Sequence, residues 1–113
     1  SDYVILENRQ RVNSYIFLYP IETINSQMGN PITQFQIVQN NINSYTALIA
    51  LKKSFFGWRN TIAEEFTEAC GKVGLNNVEW KFEFVERLLP NTTSGKLQFF
   101  KSELNIREDK IYA

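Results

Sequence analysis

The sequence predicts an α+β fold in which an antiparallel sheet carries two helices on one face. Strict apolar–polar alternation over residues 78–84 is typical of a half-buried strand. Apolar residues recur at helical spacing over 20–28 and over 54–74. The chain has 113 residues, of which 43% are hydrophobic. That size and composition suit one small domain with its own core.

The first elements are predicted to be a strand and a short helix. Residues 15–19 are mostly β-branched or aromatic and end at Pro20, which predicts a strand or another extended segment. Pro20 suits the first turn of a helix, and Gly29 can end that helix because glycine adopts positive φ easily. The apolar face of this helix contains Ile21, Ile24 and Met28.

Two further strands are predicted at 34–39 and 45–51. The first alternates in polarity, whereas the second is apolar on both faces, as in the centre of a sheet. The turn-rich connector 40–44 predicts that they form an antiparallel hairpin.

The second helix is predicted between Ser54 and Gly74. Thr61 and Glu64 fit a capping box at its start, although a start near Ser54 is also compatible with the sequence. Cys70 lies on or beside the apolar stripe and is interpreted as a buried structural thiol, because the chain has no His to activate it. The stripe contains Trp58, Ile62, Phe66, Ala69 and Val73.

The strand at 78–84 is predicted to place its aromatic residues on the core face. A base-stacking platform is the alternative, but no basic groove accompanies it. Residues 97–100 can add a last strand, and the charged tail from Lys101 to Lys110 is predicted to lie at the surface. The resulting order of strand, helix, strand, strand, helix and strand predicts a ferredoxin-like fold of the split βαβ type.

Composition excludes several functions. Twelve basic and twelve acidic residues leave a net charge of zero, which does not favour nucleic acid or an anionic membrane as a partner. No apolar run reaches the length of a membrane span, and no signal peptide is expected. A single Cys suits a reducing compartment, so a cytoplasmic location is expected. Without His, catalytic triads and ordinary zinc sites are excluded, and no metal ligands are predicted.

The loop from Pro90 to Lys96 is the most suggestive stretch for function. Pro90 ends the preceding strand, and small polar residues with one Gly then lead to Lys96. Such a loop can bring an ammonium group close to an anion, although an ordinary solvated turn is the alternative. A phosphate-binding P-loop is excluded, because that pattern requires Gly at Pro90 and Ser or Thr at Leu97.

Residues 82–99, which contain this loop, resemble the closing motif of adenylate-forming acyl- and aryl-CoA ligases. The strand, the Pro, the Thr-Ser pair and Gly95-Lys96 occur in the family's order. The resemblance is nearest to the phenylacetate–CoA ligase branch, with its coenzyme F390 synthetase and capsule-biosynthesis relatives. The segments 17–20 and 34–39 also resemble that branch, so the similarity covers roughly residues 9–104.

This resemblance implies that residues 1–113 are the C-terminal lid domain of a larger ligase, with 1–13 as a hinge remnant and 105–113 as a tail. The implied partner is an N-terminal adenylation domain that holds Mg²⁺ and most of the ATP site. The intact enzyme would use ATP and CoA to activate a small carboxylic acid. The isolated domain would be inactive and would bind no cofactor.

The resemblance also implies roles for individual residues. Lys96 would be catalytic, whereas Thr93, Ser94 and Gly95 would shape the loop near the nucleotide. Arg9 would correspond to the family's ribose-contacting Arg, although the stretch 8–11 lacks the usual hinge carboxylate. The alternative function is a non-catalytic ferredoxin-like regulatory or protein-interaction module.

Overall fold

A computed structural model describes residues 3–89 and 97–104. Within these residues, no helix is both long and apolar enough to cross a membrane. The elements are β1 (Tyr3–Ile5), β2 (Arg11–Asn13), a 3-10 helix (Ser14–Phe17), α1 (Leu18–Met28), β3 (Ile32–Asn41), β4 (Ser44–Leu51), a second 3-10 helix (Lys53–Trp58), α2 (Arg59–Lys72), β5 (Glu79–Val85) and β6 (Phe100–Ser102).

The main sheet has four strands in the order β5-β4-β3-β6. β3 and β4 form the predicted antiparallel hairpin. β5 runs parallel to β4 because α2 crosses back over the sheet between them, and β6 runs parallel to β3. The α+β class with two helices is confirmed and is compatible with the split βαβ type, with parallel strands added at both edges of the antiparallel pair. β1 and β2 form a separate antiparallel hairpin.

The core lies between one face of the sheet and both helices. Strand alternation points Tyr45, Ala47 and Ile49 of β4 toward Ile24 of α1 and Phe66 of α2, and all five are buried. The aromatic residues of β5 face the same side and are half-buried. Phe66 meets the rings of Trp80 and Phe82 edge-to-face. Core packing, rather than base stacking, therefore accounts for the aromatic stripe.

The predicted strand at 15–19 is wrong. A 3-10 helix occupies Ser14–Phe17, and the side chain of Asn13 caps it by accepting a hydrogen bond from the Tyr15 N–H. Phe17 is completely buried and stacks on Phe100, whereas Tyr15 is 64% exposed. β propensity was outweighed here because a tight helical turn inserts one aromatic anchor, Phe17, into the core.

The start of the second helix also differs from the capping-box prediction. The 3-10 helix at Lys53–Trp58 leads directly into α2, so Thr61 lies inside the helix and the earlier start near Ser54 is the better description. The tighter 3-10 winding rotates Trp58 off the apolar stripe, and its side chain is 54% exposed. Ile62, Phe66 and Ala69 are buried as predicted.

The ends of the elements show smaller differences. β3 and β4 extend into the predicted connector and leave a two-residue turn at 42–43. Gly29 and Gly74 have φ of 84° and 96° after α1 and α2, which confirms their role at the helix ends. Lys101 is exposed but belongs to β6 rather than to a tail, because β6 pairs with β3 through Ser102.

Candidate functional site

The predicted loop residues Thr93, Ser94, Gly95 and Lys96 lie outside the described residues. The chain that leads into the loop and the chain that leaves it are described, and we refer to Leu88–Leu89 and Leu97–Gln98 as the two stems. The geometry of the site is therefore the geometry of these stems.

Two glutamines of β3 hold the two stems. The side-chain oxygen of Gln34 accepts a hydrogen bond from the Leu88 N–H at 2.8 Å. The side-chain amide of Gln36 donates to the carbonyl of Gln98 at 2.9 Å. Because residues two apart on a strand share a face, both of these side chains lie on the face of β3 opposite the helices. We call this the helix-free face.

The rest of the C-terminal segment is tied to the same strand. The Ile37 N–H donates to the carbonyl of Phe99 at 2.7 Å. The side-chain amide of Asn40 donates to the carboxylate of Glu103 at 2.8 Å, and its oxygen accepts from the Thr46 hydroxyl at 2.7 Å. β3 thus holds the segment that follows the second stem, from Phe99 to Glu103.

Arg9 lies in the turn of the β1–β2 hairpin. Its N–H donates to the carbonyl of Leu6, and the Leu6 N–H donates to the carbonyl of Gln10, both at 2.9 Å. The φ of Arg9 is 69°, in the left-handed region that non-glycine residues seldom adopt. Its side chain is exposed and makes no ion pair within the described part of the chain. The turn therefore presents the guanidinium to solvent.

Buried Gln39 anchors this hairpin to the domain. Its side-chain oxygen accepts from the Ile5 N–H at 3.2 Å, and its amide donates to the Ile5 carbonyl at 2.7 Å. The same amide lies 3.1 Å from the Tyr45 hydroxyl. Val4, next to Ile5, is fully buried. Residues 3–13, expected to be a hinge remnant, therefore pack against the core as a hairpin.

Arg9 and the loop stems are not anchored at one place. Gln39 faces the helix side of β3, whereas Gln34 and Gln36 face the helix-free side, because odd and even positions of a strand alternate. The anchoring residues are separated by about 10 to 17 Å along the strand.

The buried ionisable groups do not form a second reactive centre. Burial raises the pKa of the Cys70 thiol well above its ordinary value, which agrees with the predicted structural role. Burial, together with the nearby Cys70, raises the pKa of Tyr45, while the hydrogen bond from Gln39 opposes that shift. No group of three or more Asp, Glu or Cys residues able to hold a metal ion occurs in the described ranges.

Sequence reasoning did not identify Gln34, Gln36 and Gln39 as organising residues. Alternation alone places Gln34 and Gln36 on one face, and that signal was present. Their partners are 54 and 62 residues away, and no local pattern specifies such distant pairs. Gln39 ends the predicted strand 34–39 on the same face as Phe35 and Ile37, and this was the stronger clue, because a buried amide requires partners.

Comparison with known proteins gives one match. A family model described as the CapK C-terminal domain covers residues 6–103, which is most of the chain. The matched range begins just after β1 and includes β2, both α-helices, all four strands of the main sheet and the loop between the stems. No curated protein and no solved structure matches the chain.

Proposed function

The chain belongs to the CapK C-terminal domain family, and from that premise we propose that it acts as the C-terminal domain of an adenylate-forming acid–thiol ligase. The parent reaction is ATP-dependent conversion of a carboxylic acid to its acyl-adenylate, followed by transfer to a thiol such as CoA. The observation that carries the proposal is the family match across residues 6–103. The resemblance of residues 82–99, within this range, to the ligase closing motif also supports it.

In this proposal, Lys96 supplies the catalytic charge. Attack of a carboxylate on the α-phosphate of ATP develops negative charge on the phosphoryl and bridging oxygens. A positioned ammonium group stabilises that charge more strongly in the transition state than in the ground state. The anchored stems support this role, because a loop held at both ends can place one side chain reproducibly. Thr93, Ser94 and Gly95 shape the loop around it.

Arg9 is proposed to contact the nucleotide. Its guanidinium is exposed at the turn between β1 and β2, and it has no ion-pair partner in the described ranges. A free guanidinium suits phosphate oxygens or ribose hydroxyls, because it donates several hydrogen bonds in one plane. Buried Gln39 holds the hairpin to the core and so limits the region that Arg9 can reach.

The remaining parts of the site are assigned to an N-terminal adenylation domain. The described residues contain no group of three or more Asp, Glu or Cys side chains able to hold a metal ion. ATP, Mg²⁺ and the carboxylic acid would therefore be bound mainly by that domain. The present chain would contribute Lys96, Arg9 and the exclusion of water from the hydrolysable adenylate. The chain alone is expected to be inactive.

The test is ATP–pyrophosphate exchange by the full-length protein that contains this chain. Lys96→Ala should reduce exchange by about two to three orders of magnitude, because removing one transition-state charge partner has an effect of that size. Lys101→Ala is the matched control, since Lys101 is exposed on β6 and close in sequence. Normal exchange by Lys96→Ala would overturn the proposal and favour an interaction module.

A further inference from the structure

β5 leaves one long edge of the sheet unpaired. It is the outermost strand beside β4, and no described strand lies beyond it. All seven of its residues are in register with β4, so the edge is regular and free of bulges. Regular edges can accept another strand, and natural proteins protect them when no partner is intended.

The backbone of this edge has a defined polarity. The Glu79 N–H donates inward to the carbonyl of Asn43 at 2.7 Å. Successive residues of a strand point their backbone groups in opposite directions, so Lys81 and Glu83 also bond toward β4. The N–H and C=O groups of Trp80, Phe82 and Phe84 therefore point outward.

The side chains are self-complementary about Phe82. An antiparallel strand related by a two-fold axis at Phe82 would pair Trp80 with Phe84 on the helix side. It would pair Lys81 with Glu83 on the helix-free face, and the two-fold axis repeats this ion pair. The outward backbone groups make Phe82 opposite Phe82 a hydrogen-bonded pair. The Lys81–Glu83 pairs then occupy non-hydrogen-bonded positions, where side chains approach most closely.

From this charge pattern we propose that the β5 edge is a dimerisation surface whose occupant is β5 of a second copy of this chain. The two copies then share one continuous eight-stranded sheet. None of Glu79, Lys81 and Glu83 makes an ion pair within the described ranges, and all three are exposed. Their charges are therefore available to a second copy.

The charges and the length of β5 together select one register. A two-fold axis at Lys81 would place Lys81 against Lys81 and Glu79 against Glu83 of the other copy. An axis at Glu83 would place the two Glu83 carboxylates against each other. Like charges directly opposite one another destabilise a pair of strands, whereas opposite charges stabilise it. An axis at Trp80 would also set Glu79 against Lys81, but only residues 79–81 of the two strands would then overlap. The axis at Phe82 gives attractive ion pairs and pairs all seven residues of β5.

The groove beside this edge fits the same symmetry. An open groove of about 370 Å³ between α2 and β5 is lined by Arg59, Ala63 and Phe82. It adjoins a second groove where Glu68 joins Ala63 and Phe82. Both grooves include Ala63 and Phe82, so they form one continuous surface beside α2. Arg59 lies toward one end of that surface and Glu68 toward the other. A two-fold axis at Phe82 brings Arg59 of one copy to the side of Glu68 of the other.

The test is sedimentation equilibrium of the 113-residue chain from low micromolar to near-millimolar concentration. A monomer–dimer equilibrium is expected. Lys81→Glu should raise the dimer dissociation constant at least about tenfold, because both attractive pairs become repulsive. Combining it with Glu83→Lys exchanges the charges and should return the constant to within about threefold of the original value.

Lys101→Glu is the matched control. Val38 pairs with both Thr46 and Lys101, and Thr46 pairs with Lys81, so the two lysines occupy one row at opposite edges of the sheet. This control should leave the dissociation constant unchanged. Amide exchange provides a second measurement: the Phe82 N–H should become protected as concentration rises. A monomer at every concentration, a dimer insensitive to Lys81→Glu, or concentration-independent exchange at Phe82 would each overturn the proposal.

Discussion

The side-chain amide of Gln36 donates to the backbone carbonyl of Gln98 at 2.9 Å, across 62 residues of sequence. Two positions earlier on the same strand, Gln34 accepts from the Leu88 N–H. These glutamines lie roughly 7 Å apart on one face. Both stems of the lysine loop are therefore held by neighbouring positions of β3. The same strand also bonds to the segment that follows the loop, through the carbonyl of Phe99.

The glutamine tethers should affect activity more than stability. Gln34→Ala and Gln36→Ala should each lower the free energy of unfolding by only about 0.5–1.5 kcal/mol, the net value of one hydrogen bond. In the full-length protein, ATP–pyrophosphate exchange should fall about tenfold or more, because one stem of the loop loses its hydrogen bond to β3. Gln27→Ala on the exposed face of α1 is the matched control.

Amide hydrogen exchange tests the hydrogen bond between Gln34 and Leu88 separately from its effect on activity. In Gln34→Ala, the Leu88 amide should exchange faster because its acceptor is gone. Unchanged exchange at Leu88 would contradict the tether itself. If the Leu88 amide exchanges faster in Gln34→Ala but ATP–pyrophosphate exchange is normal, the hydrogen bond exists but does not position the loop for catalysis.

Replacing Arg9 should separate backbone strain from side-chain function. Arg9→Gly should raise the free energy of unfolding by up to about 1 kcal/mol, because glycine accepts the observed φ of 69° without steric cost. The same variant should raise KM for ATP in the full-length protein, because the guanidinium is lost. Urea denaturation and steady-state kinetics measure the two effects.

Asn30→Gly is the control for Arg9, since Asn30 has φ of 59° and an exposed side chain far from the hairpin. It should relieve strain without changing KM for ATP. An Arg9→Gly variant with unchanged KM would remove Arg9 from the proposed nucleotide site.

Loss of the Gln39 side chain should loosen the hairpin. Gln39→Leu removes both side-chain partners of the Ile5 backbone, so unfolding free energy should fall by about 2–4 kcal/mol. Trypsin should also cleave faster after Arg9 and Arg11. Gln27→Leu is the control, because it makes the same substitution at an exposed position of α1. A loss below about 1 kcal/mol would show that solvent replaces these hydrogen bonds.

Stability should fall at alkaline pH because of two buried groups. The pKa values of Cys70 and Tyr45 are raised in the folded state, so the unfolded chain releases these protons first. Folding free energy is thus fully retained below about pH 9, the ordinary thiol range, and declines as the pH rises beyond it. Each group adds a slope of about 1.4 kcal/mol per pH unit.

Cys70→Ala should reduce this slope by the contribution of one group, and Tyr45→Phe should do the same above about pH 10. Urea denaturation between neutral and alkaline pH measures both slopes. A slope in Cys70→Ala equal to that of the unmodified chain would show that the thiol does not titrate between the two states.

The strongest local patterns predicted the main elements. Alternation over 78–84 identified β5, and helical spacing identified α1 and the buried residues of α2, because burial on one face imposes a period that a single segment displays. Gly29 and Gly74 marked the helix ends through a conformational preference of their own. Segment 15–19 was misread because composition favours a strand there, whereas the burial of Phe17 depends on distant Phe100.

By itself, the sequence determined the class of fold, the two helices, the central hairpin and the resemblance that points to Lys96. These properties depend on neighbouring residues, so a local window contains them. Only the tertiary structure decided that Gln34 and Gln36 bond to the two stems, that Gln39 holds the Arg9 hairpin to the core, and that β5 lies at an edge of the sheet. Those relationships join residues 34 or more positions apart. They arise because the hydrogen-bond partner of a buried amide or of a strand edge is set by which segments the fold brings together.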